Sequence, residues 1–394
     1  MKRCIGIFLI LFLCLIQSQT YDASEIENDW SDTKKEQMQE ELETEMLEQI
    51  GIEEIDDFME ETESFSEISF TELVMSLIKG EETYQAKDIG EWLKNALCAE
   101  FRENKALLIQ VLIIGIAFGI LKNFTGLFEN SYISELCFVM VYCVLVILLM
   151  KSFLIMDNLA KETLKTTVEF MQTLVPVYCM SMIFSNGATT AAGFYEVAFL
   201  IISLVQWMIL YVLVPLVQVM ILFVFLNEVV EGERFSKMTE LLEDGIRFVL
   251  KFVTGTVVGL NVVQGLIQPA ADRLKGSMFA KTASAIPGIG NSVRAVSEII
   301  VGAGTLIKNS VGVAAMIIVL GITLMPVLKM GVLAFFYKLS AAVIEPVADK
   351  RISGTLNGVC KGSVLLAKIM LTSMLLFLIT IAMVAASSSL CIKF

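Results

Sequence analysis

Apolar residues gather into seven long runs over the carboxyl-terminal three quarters of the chain. The runs cover residues 106–121, 133–156, 168–184, 194–226, 246–267, 311–345 and 363–386. A membrane-spanning helix needs about 20 apolar residues, so most of these runs are long enough to cross a bilayer once. The pattern predicts an all-α, polytopic helical membrane protein with about seven transmembrane segments, and it places the membrane domain at residues 105–394.

Four prolines of the membrane domain recur at a repeated spacing. The prolines concerned are Pro176, Pro215, Pro287 and Pro326. The first two are 39 residues apart, as are the last two, and the second pair is the first displaced by 111. This offset predicts an internal duplication, with repeats at about 163–268 and 274–386, although a bundle with ordinary proline kinks gives the same pattern. Because broken helices line the substrate sites of transporters, the four prolines are candidate helix breaks or a gate.

The amino terminus has the pattern of an export signal. Met1, Lys2 and Arg3 precede an apolar run from Ile5 to Ile16, and small and polar residues follow. A basic start and an apolar run of this length are typical of a secretory signal peptide, which we assign to residues 1–20. A retained membrane anchor is the alternative interpretation. In either case the chain that follows lies outside the cytosol.

Charge divides the chain near residue 104. Its net charge of −13 hides a segment at 22–103 with 26 acidic and 6 basic residues, a local charge of −20. We therefore predict an exported acidic segment over 21–104, partly disordered, with helices near 36–50, 70–79 and 88–101. Ser69 followed by Glu72 predicts the start of the second helix. The acidic stretch is either a solvated spacer or an arm that docks on a basic protein surface.

The composition argues against an enzyme. The chain contains no histidine, and its eight cysteines form no CxxC pair, so imidazole catalysis and thiolate metal sites are not expected. Lys361, Gly362 and Ser363 lack the order that a phosphate-binding loop requires. No catalytic residue, cofactor or metal site is predicted, and nucleic acid is not an expected partner. An ATP-driven process would need a separate motor.

Four charged residues fall within or beside the apolar runs. They are Glu196, Lys329, Lys338 and Glu345. A charge at the bilayer centre costs about 2.5–3.5 kcal/mol on insertion scales, so each should face protein, water or lipid headgroups. These residues are candidates for an intramembrane polar path. The alternative for each is an interfacial residue that extends its charged end toward the headgroups.

Glycines recur at four-residue spacing in three places. They are Gly115 and Gly119, Gly255 and Gly259, and Gly354, Gly358 and Gly362. Small residues at this spacing let membrane helices approach closely, so these positions are candidates for helix packing. Such faces are common in membrane proteins and do not distinguish one function from another.

Basic residues cluster in three loops or helix ends of the membrane domain. The clusters lie at 234–251, 273–281 and 350–361. The positive-inside rule places all three on the cytosolic side, which requires an even number of crossings between them.

Several segments of the membrane domain carry specific sequence motifs. They are Ala285–Gly290 (AIPGIG), Leu306–Gly312 (LIKNSVG), Met325–Lys329 (MPVLK) and Phe336–Pro346 (FYKLSAAVIEP), with Leu77–Gly80 and Glu91–Leu97 upstream. Together they closely resemble the stage III sporulation protein AE family of endospore-forming bacteria. The similarity runs over roughly residues 70–394 and is densest at 285–346.

The resemblance implies a role in endospore development. Proteins of this family are expected to be membrane subunits of a channel or export complex that connects mother cell and forespore and supports late forespore gene expression. The resemblance places the chain in the mother-cell-derived outer forespore membrane, with other membrane subunits, ring-forming proteins and a cytosolic ATPase as partners. Two alternatives remain open from the residues themselves: a secondary transporter that acts alone, and a structural anchor that recruits ring-forming partners.

Overall fold

The computed structural model describes residues 45–47, 49–62, 69–80, 86–125, 131–186, 188–229, 234–283, 290–346 and 350–389. This part of the chain consists of helices and turns and contains no β-strand, which confirms the all-α prediction for it. The signal peptide, most of the helix expected near 36–50, and Pro287 lie outside the described residues.

Nine helices of eight residues or more are present in the described chain. They are α1 (Glu53–Glu61), α2 (Phe70–Ile78), α3 (Ala86–Thr125), α4 (Ser131–Asn186), α5 (Ala188–Met208), α6 (Val214–Val229), α7 (Ser236–Ala283), α8 (Gly290–Ile344) and α9 (Lys350–Ser389). A single π-helical turn, Ile209–Leu213, joins α5 to α6.

Two short helices of the acidic segment, α1 and α2, are held together by one carboxylate. Ser69 caps α2, because its Oγ accepts a hydrogen bond from the Glu72 N–H at 3.2 Å, as the sequence pattern predicts. Asp56 of α1 accepts from the Phe70 N–H at 2.5 Å and from the hydroxyl and N–H of Thr71. A carboxylate at a helix amino terminus satisfies exposed N–H groups and the positive end of the helix dipole.

This helix pair packs against the membrane domain through its apolar face. Ile55 and Met59 of α1 and Phe70 and Val74 of α2 are buried in the same hydrophobic core as the long helices. Phe58 of α1 contacts the ring of Phe170 in α4, with centroids 6.1 Å apart. The outward face of α1 carries the acidic residues Glu53, Glu54, Asp57, Glu60 and Glu61.

Five helical stretches in the described chain are long and apolar enough to cross a membrane. They are Val139–Ser185, Ala191–Val229, Ser236–Val263, Ile299–Ile344 and Lys350–Ala385. The prediction of seven crossings is therefore not confirmed. The runs 133–156 and 168–184 belong to one continuous helix, α4, and the run 106–121 is the end of α3.

The polar stretch between the two runs of α4 stays helical for a local reason. Asp157 pairs with Lys161 and Lys165 pairs with Glu169, each four residues apart. Such pairs bridge neighbouring turns and support a helix whose backbone bonds are otherwise complete. Two separate crossings would need a loop between the two apolar runs, but α4 continues as a helix from one run to the other.

The prolines do not end their helices. Pro176 and Pro326 lie inside α4 and α8. Pro215 follows the π-helical turn, where the Val214 N–H bonds to the Ile209 carbonyl five residues earlier. A wider turn of this kind accommodates the missing proline donor, so the apolar run 194–226 remains one stack of helical turns.

α8 is the central helix of the membrane domain, since none of residues 303–324 is exposed. α4 packs antiparallel to it: Gly304 faces Phe184 at one end, and Tyr337 contacts Ser152 at the other. A hydrogen bond from Lys308 to the Val384 carbonyl shows that α9 is also antiparallel, because the carboxyl-terminal part of α9 meets the amino-terminal part of α8.

The other long helices pack around α4, α8 and α9 in parallel and antiparallel directions. Gly354 of α9 faces Glu228 of α6, and Gly362 faces Ile221, so α6 and α9 are antiparallel. Two contacts make α7 parallel to α9. They are Glu243 with Lys361 at 3.6 Å and Asn261 with Thr380 at 3.1 Å. α3 is parallel to α8, as shown by the contact of Gly115 with Ile344 and of Phe101 with Phe336.

The directions of the helices determine which end of the bundle each basic cluster occupies. The clusters at 234–251 and 350–361 lie at the same end of the bundle, since α7 and α9 are parallel. The cluster at 273–281 lies at the opposite end of the continuous helix α7. All three clusters can face the cytosol only if α7 does not cross the membrane.

We predict that α3, α4, the continuous stack of α5 and α6, α7, α8 and α9 cross the membrane in alternating directions, which reporter fusions can test. Fusions of green fluorescent protein and of alkaline phosphatase after residues 130, 240 and 355 should report the cytosol, because these positions lie at one end of the bundle. Fusions after residues 190 and 280 should report the exported side. The same compartment for fusions after 240 and 280 would contradict a crossing by α7.

Candidate functional site

The four charged residues expected on a polar path lie in different surroundings. Glu196, Lys338 and Glu345 are exposed on the surface of the isolated chain. Lys329 is half-buried, and its Nζ lies 3.9 Å from Oε1 of Glu100 in α3. The structure therefore brings Lys329 to Glu100 and does not bring the four residues together. Their role in a polar path stays a prediction.

The glycines expected at packing faces divide into two groups. Gly354, Gly358 and Gly362 all lie against α6, and a methyl group at Gly354 would stand 2.8 Å from Oε1 of Glu228. Gly115 is similarly close to α8, and Gly119 is buried.

The other group is the pair on α7. Gly255 and Gly259 are exposed, and a methyl group at either position would meet no other atom within 4 Å. Within one chain, α7 does not use these two glycines for packing.

One buried acidic group lies in the polar stretch of α4 between its two apolar runs. Asp157 is only 1% exposed, and its Oδ2 accepts from Nζ of Lys161 at 2.8 Å and from Nε2 of Gln218 in α6 at 2.7 Å. Its Oδ1 is buried and has no hydrogen-bond partner within the described part of the chain. Lys161 is 41% exposed, so its ammonium reaches inward from the surface of the bundle. We call Asp157, Lys161 and Gln218 the aspartate cluster.

Two buried tyrosines join neighbouring helices by hydrogen bonds. The Tyr337 hydroxyl lies 2.5 Å from Oγ of Ser152, linking α8 to α4. The Tyr142 hydroxyl donates to the Phe225 carbonyl at 2.9 Å and lies 3.2 Å from Oγ1 of Thr355. Hydrogen bonds between membrane helices are worth roughly 0.6–2 kcal/mol each and fix the register of the helices.

A second buried cluster contains a lysine. Lys308 of α8 is 0% exposed, and its Nζ lies 3.4 Å from the Val384 carbonyl, close to the carboxyl end of α9. The negative end of a helix dipole favours a cation at this place. On α7 and α9, Asn261 donates to Oγ1 of Thr380, one turn from Val384.

The tyrosine of this cluster comes from α4. Tyr178 is buried, and its hydroxyl lies against Gly312, one turn from Lys308 on the same face of α8. We call Tyr178, Asn261, Lys308 and Thr380 the lysine cluster.

The two clusters lie far apart in a mostly apolar interior. Asp157 and Tyr178 are 21 residues apart on α4, which corresponds to about 32 Å along a helix axis. Between them lie Thr323 of α8 and Ser373 of α9, whose hydroxyl oxygens are buried without a hydrogen-bond partner among the described residues. Buried polar groups of this kind are uncommon in native proteins.

The sequence contained weak signals for both clusters. Lys308 precedes the apolar run assigned to 311–345 and falls inside the LIKNSVG motif, so its burial by α9 was not visible. Asp157 directly follows the run 133–156, and its spacing to Lys161 is the one usable signal for an ion pair. Gln218 lies in another helix and could not be connected to either residue.

No cluster of three or more His, Cys, Asp or Glu side chains suitable for a metal ion is present in the described part of the chain. Four cysteines with described surroundings, Cys98, Cys143, Cys179 and Cys360, are thiols and form no disulfide. Cys179 and Cys360 are buried and bond to backbone carbonyls, which is the behaviour of small core residues.

The long apolar helices and the buried interhelical hydrogen bonds define a polytopic helical membrane protein. Comparison with known families identifies it further. Residues 68–388 match the family model described as stage III sporulation protein AE, and the chain belongs to that family. This confirms the resemblance found in the sequence and implies a role in sporulation.

A characterised relative supports the same family. The chain is 26% identical over 327 residues to the stage III sporulation protein AE of Bacillus subtilis (strain 168), and the match covers 81% of each protein. No solved structure matches the chain.

Removal of the Lys161 ammonium is predicted to destabilise the fold by leaving the Asp157 carboxylate buried with a single partner. Lys161→Met should lower the free energy of unfolding by about 2 kcal/mol, less than for a fully buried pair because solvent reaches Lys161. Thermal unfolding of the purified protein measures the change. The double variant Asp157→Leu/Lys161→Met should recover most of the loss.

The matched control for this prediction lies one turn along the same helix. Lys165→Met removes an exposed pair with Glu169 and should change the midpoint of unfolding very little. Equal effects of Lys161→Met and Lys165→Met would contradict the structural role of the buried carboxylate.

Proposed function

We propose that this protein is a non-enzymatic membrane subunit of a channel or export complex between mother cell and forespore. The observation that carries the proposal is the family match over residues 68–388, which covers the helix α2 and nearly the whole membrane domain. The complex would be needed for endospore development and late forespore gene expression. The apolar helices support a place in the membrane.

The proposal includes an orientation. The signal sequence favours an exported segment in the intermembrane space, and the charge of −20 does not oppose export. The family match supports a membrane domain in the mother-cell-derived outer forespore membrane. Ring-forming proteins of the same complex are the proposed partners on that side. The acidic outward face of α1 supports a contact with a basic partner surface. A separate cytosolic ATPase would supply energy, since the sequence has no phosphate-binding loop.

Assembly with other subunits gives a role to the exposed charges. Glu196, Lys338 and Glu345 lie on the outer surface of helices that otherwise carry apolar side chains. A charged side chain facing lipid is costly, whereas one facing a neighbouring subunit or a water-filled path is not. We propose that these three residues line a polar path between subunits and not a path inside one chain.

The helix irregularities are the proposed moving parts. The π-helical turn precedes Pro215, and Pro326 interrupts the backbone bonding of the central helix α8. π-turns and prolines are common where helices bend during function. Pro176 and Pro287 occupy the corresponding positions of the proposed duplication, which remains untested.

Deletion of the gene in its sporulating host tests the proposed role. A reporter that is switched on late in the forespore should stay silent after engulfment, because the proposed complex no longer supports the forespore. A complementing copy with a fluorescent tag should restore the reporter and lie at the outer forespore membrane. The tagged protein should copurify with other stage III proteins. A normal late reporter in the deletion strain would contradict the proposal.

Cysteine labelling separates a gate from a structural anchor. Single cysteines placed in a cysteine-free protein next to Pro215 and Pro326 should react with a membrane-impermeant thiol reagent during sporulation if these breaks open to water. Cysteine at the buried position Ile201 in α5 is the control and should stay protected. Protection at both prolines would favour the anchor. Transport of a substrate by the reconstituted chain alone would instead favour a solitary transporter.

A further inference from the structure

One face of α7 stays uncovered within the described part of the chain. Exposed apolar residues and glycines recur along it at spacings of three, four or seven residues, which places them on one side of the helix. They are Leu241, Phe248, Phe252, Gly255, Gly259 and Val262. Buried residues of α7, such as Val253 and Val257, lie on the opposite side, toward the bundle. We call the six exposed residues the α7 seam.

The first half of the α7 seam lies among charged side chains. Leu241 and Phe248 are 66% and 70% exposed. On the same stretch, Lys237, Arg247 and Lys251 are exposed as well. A charged side chain that faces lipid is costly, which places this stretch outside the hydrocarbon core. Lipid chains therefore do not cover Leu241 and Phe248, and large apolar side chains beside charged ones are typical of the core and rim of a protein interface.

The second half of the α7 seam lies in an apolar stretch. Residues 252–263 carry no charged side chain. Gly255 and Gly259 are exposed there, and the space beside both is open. Small residues four apart let membrane helices approach closely, but α7 does not use this pair within one chain. The seam therefore continues from outside the hydrocarbon core into it, and a partner that covers all of it must suit both surroundings.

A second copy of α7 suits both halves of the seam. All copies of the chain insert in the same direction, so two copies related by a two-fold axis along the membrane normal place their α7 helices parallel. Each residue then meets its own equivalent at the same depth. Large apolar side chains meet outside the hydrocarbon core, and glycines meet inside it.

The charged rim of the seam also allows contact between two copies. Residues 237–251 contain three basic and three acidic side chains, so this stretch has no net charge. Two of the pairs are formed within α7 itself, by Lys237 with Glu240 at 3.2 Å and by Arg247 with Glu243. A rim of this kind does not repel its own copy, whereas the acidic outward face of α1 would repel another α1.

We propose that two copies of this protein associate through the α7 seam as a parallel pair of helices. Gly255 and Gly259 let the two backbones approach closely within the bilayer. Leu241 and Phe248 form the apolar core of the contact outside it, and the charged side chains form the rim. This association does not depend on the proposed export role, since it concerns two copies of the chain alone.

Disulfide crosslinking in membranes tests the pairing. Single cysteines are placed at Phe248 or Val262 in a cysteine-free full-length protein and then oxidised. Both should give covalent dimers, because equivalent residues on the seam of a parallel pair come within reach of a disulfide, with Cβ atoms about 4 Å apart. Cysteine at Lys165, an exposed position on α4, is the control for random collision and should give little dimer.

Two results of the crosslinking experiment would overturn the proposal. One is the absence of dimers from both seam positions, which would leave the seam to lipid or to a different protein. The other is an equal yield from the seam and from Lys165, which would show collision without a specific contact.

Substitution of the seam glycines tests the close approach. Gly255→Ile and Gly259→Ile add side chains into open space, so the thermal midpoint of the single chain should stay nearly unchanged. Self-association should weaken by about tenfold or more, because a branched side chain keeps the two backbones apart. Energy transfer between two fluorescently labelled pools of the protein in proteoliposomes measures the association at several protein-to-lipid ratios.

The matched control is a glycine outside the seam. Gly331 of α8 is also exposed, and a methyl group there would meet no other atom within 4 Å. Gly331→Ile should therefore change neither the midpoint nor the energy transfer. Full retention of association by the double variant Gly255→Ile/Gly259→Ile would overturn the proposal. If the double variant does not fold, the crosslinking yields decide the question.

Discussion

The packing of α8 between α4 and α9 is the interaction on which the other helices depend. Lipid offers no hydrophobic driving force between helices, so close van der Waals contact and a few hydrogen bonds must hold them together. Gly304 and Gly312 bring α8 close to α4, while Gly358 and Gly362 bring α9 close to α6. Other helices pack on the outside of this centre. They are α3, α7 and the pair α1–α2.

The sequence predicts short-range features of the fold correctly, but it does not predict the number of crossings or the contacts between distant helices. Ser69 and Glu72 predict the start of α2, because a capping bond involves residues only three apart. The seven-run pattern overstated the number of crossings, since the polar residues between the runs of α4 keep a helix through Lys161 and Lys165. Pro326 also suggested a possible break, yet α8 continues through it, with Ile322 and Met330 buried on either side of the proline.

The burial of the charged residues at the candidate site could not be predicted from the sequence. Apolar runs tell which charges are surrounded by hydrophobic neighbours along the chain, but they do not tell which way a side chain faces. Glu196 and Lys338 lie inside such runs and face outward, whereas Lys308 lies before one and is buried by α9. The direction of Lys308 depends on contacts with helices 76 residues away in the chain, which a single sequence does not reveal.

The length of α4 has a mechanical consequence. Its 56 residues span about 84 Å as a straight helix, whereas the hydrocarbon core of a bilayer is about 30 Å thick. A large part of α4 therefore extends beyond the hydrocarbon core, and the contact of Phe170 with Phe58 joins this helix to α1. No loop interrupts α4 between Phe170 and the buried Asp157 and Tyr142, so a single continuous helix connects the contact with α1 to both of these interior residues.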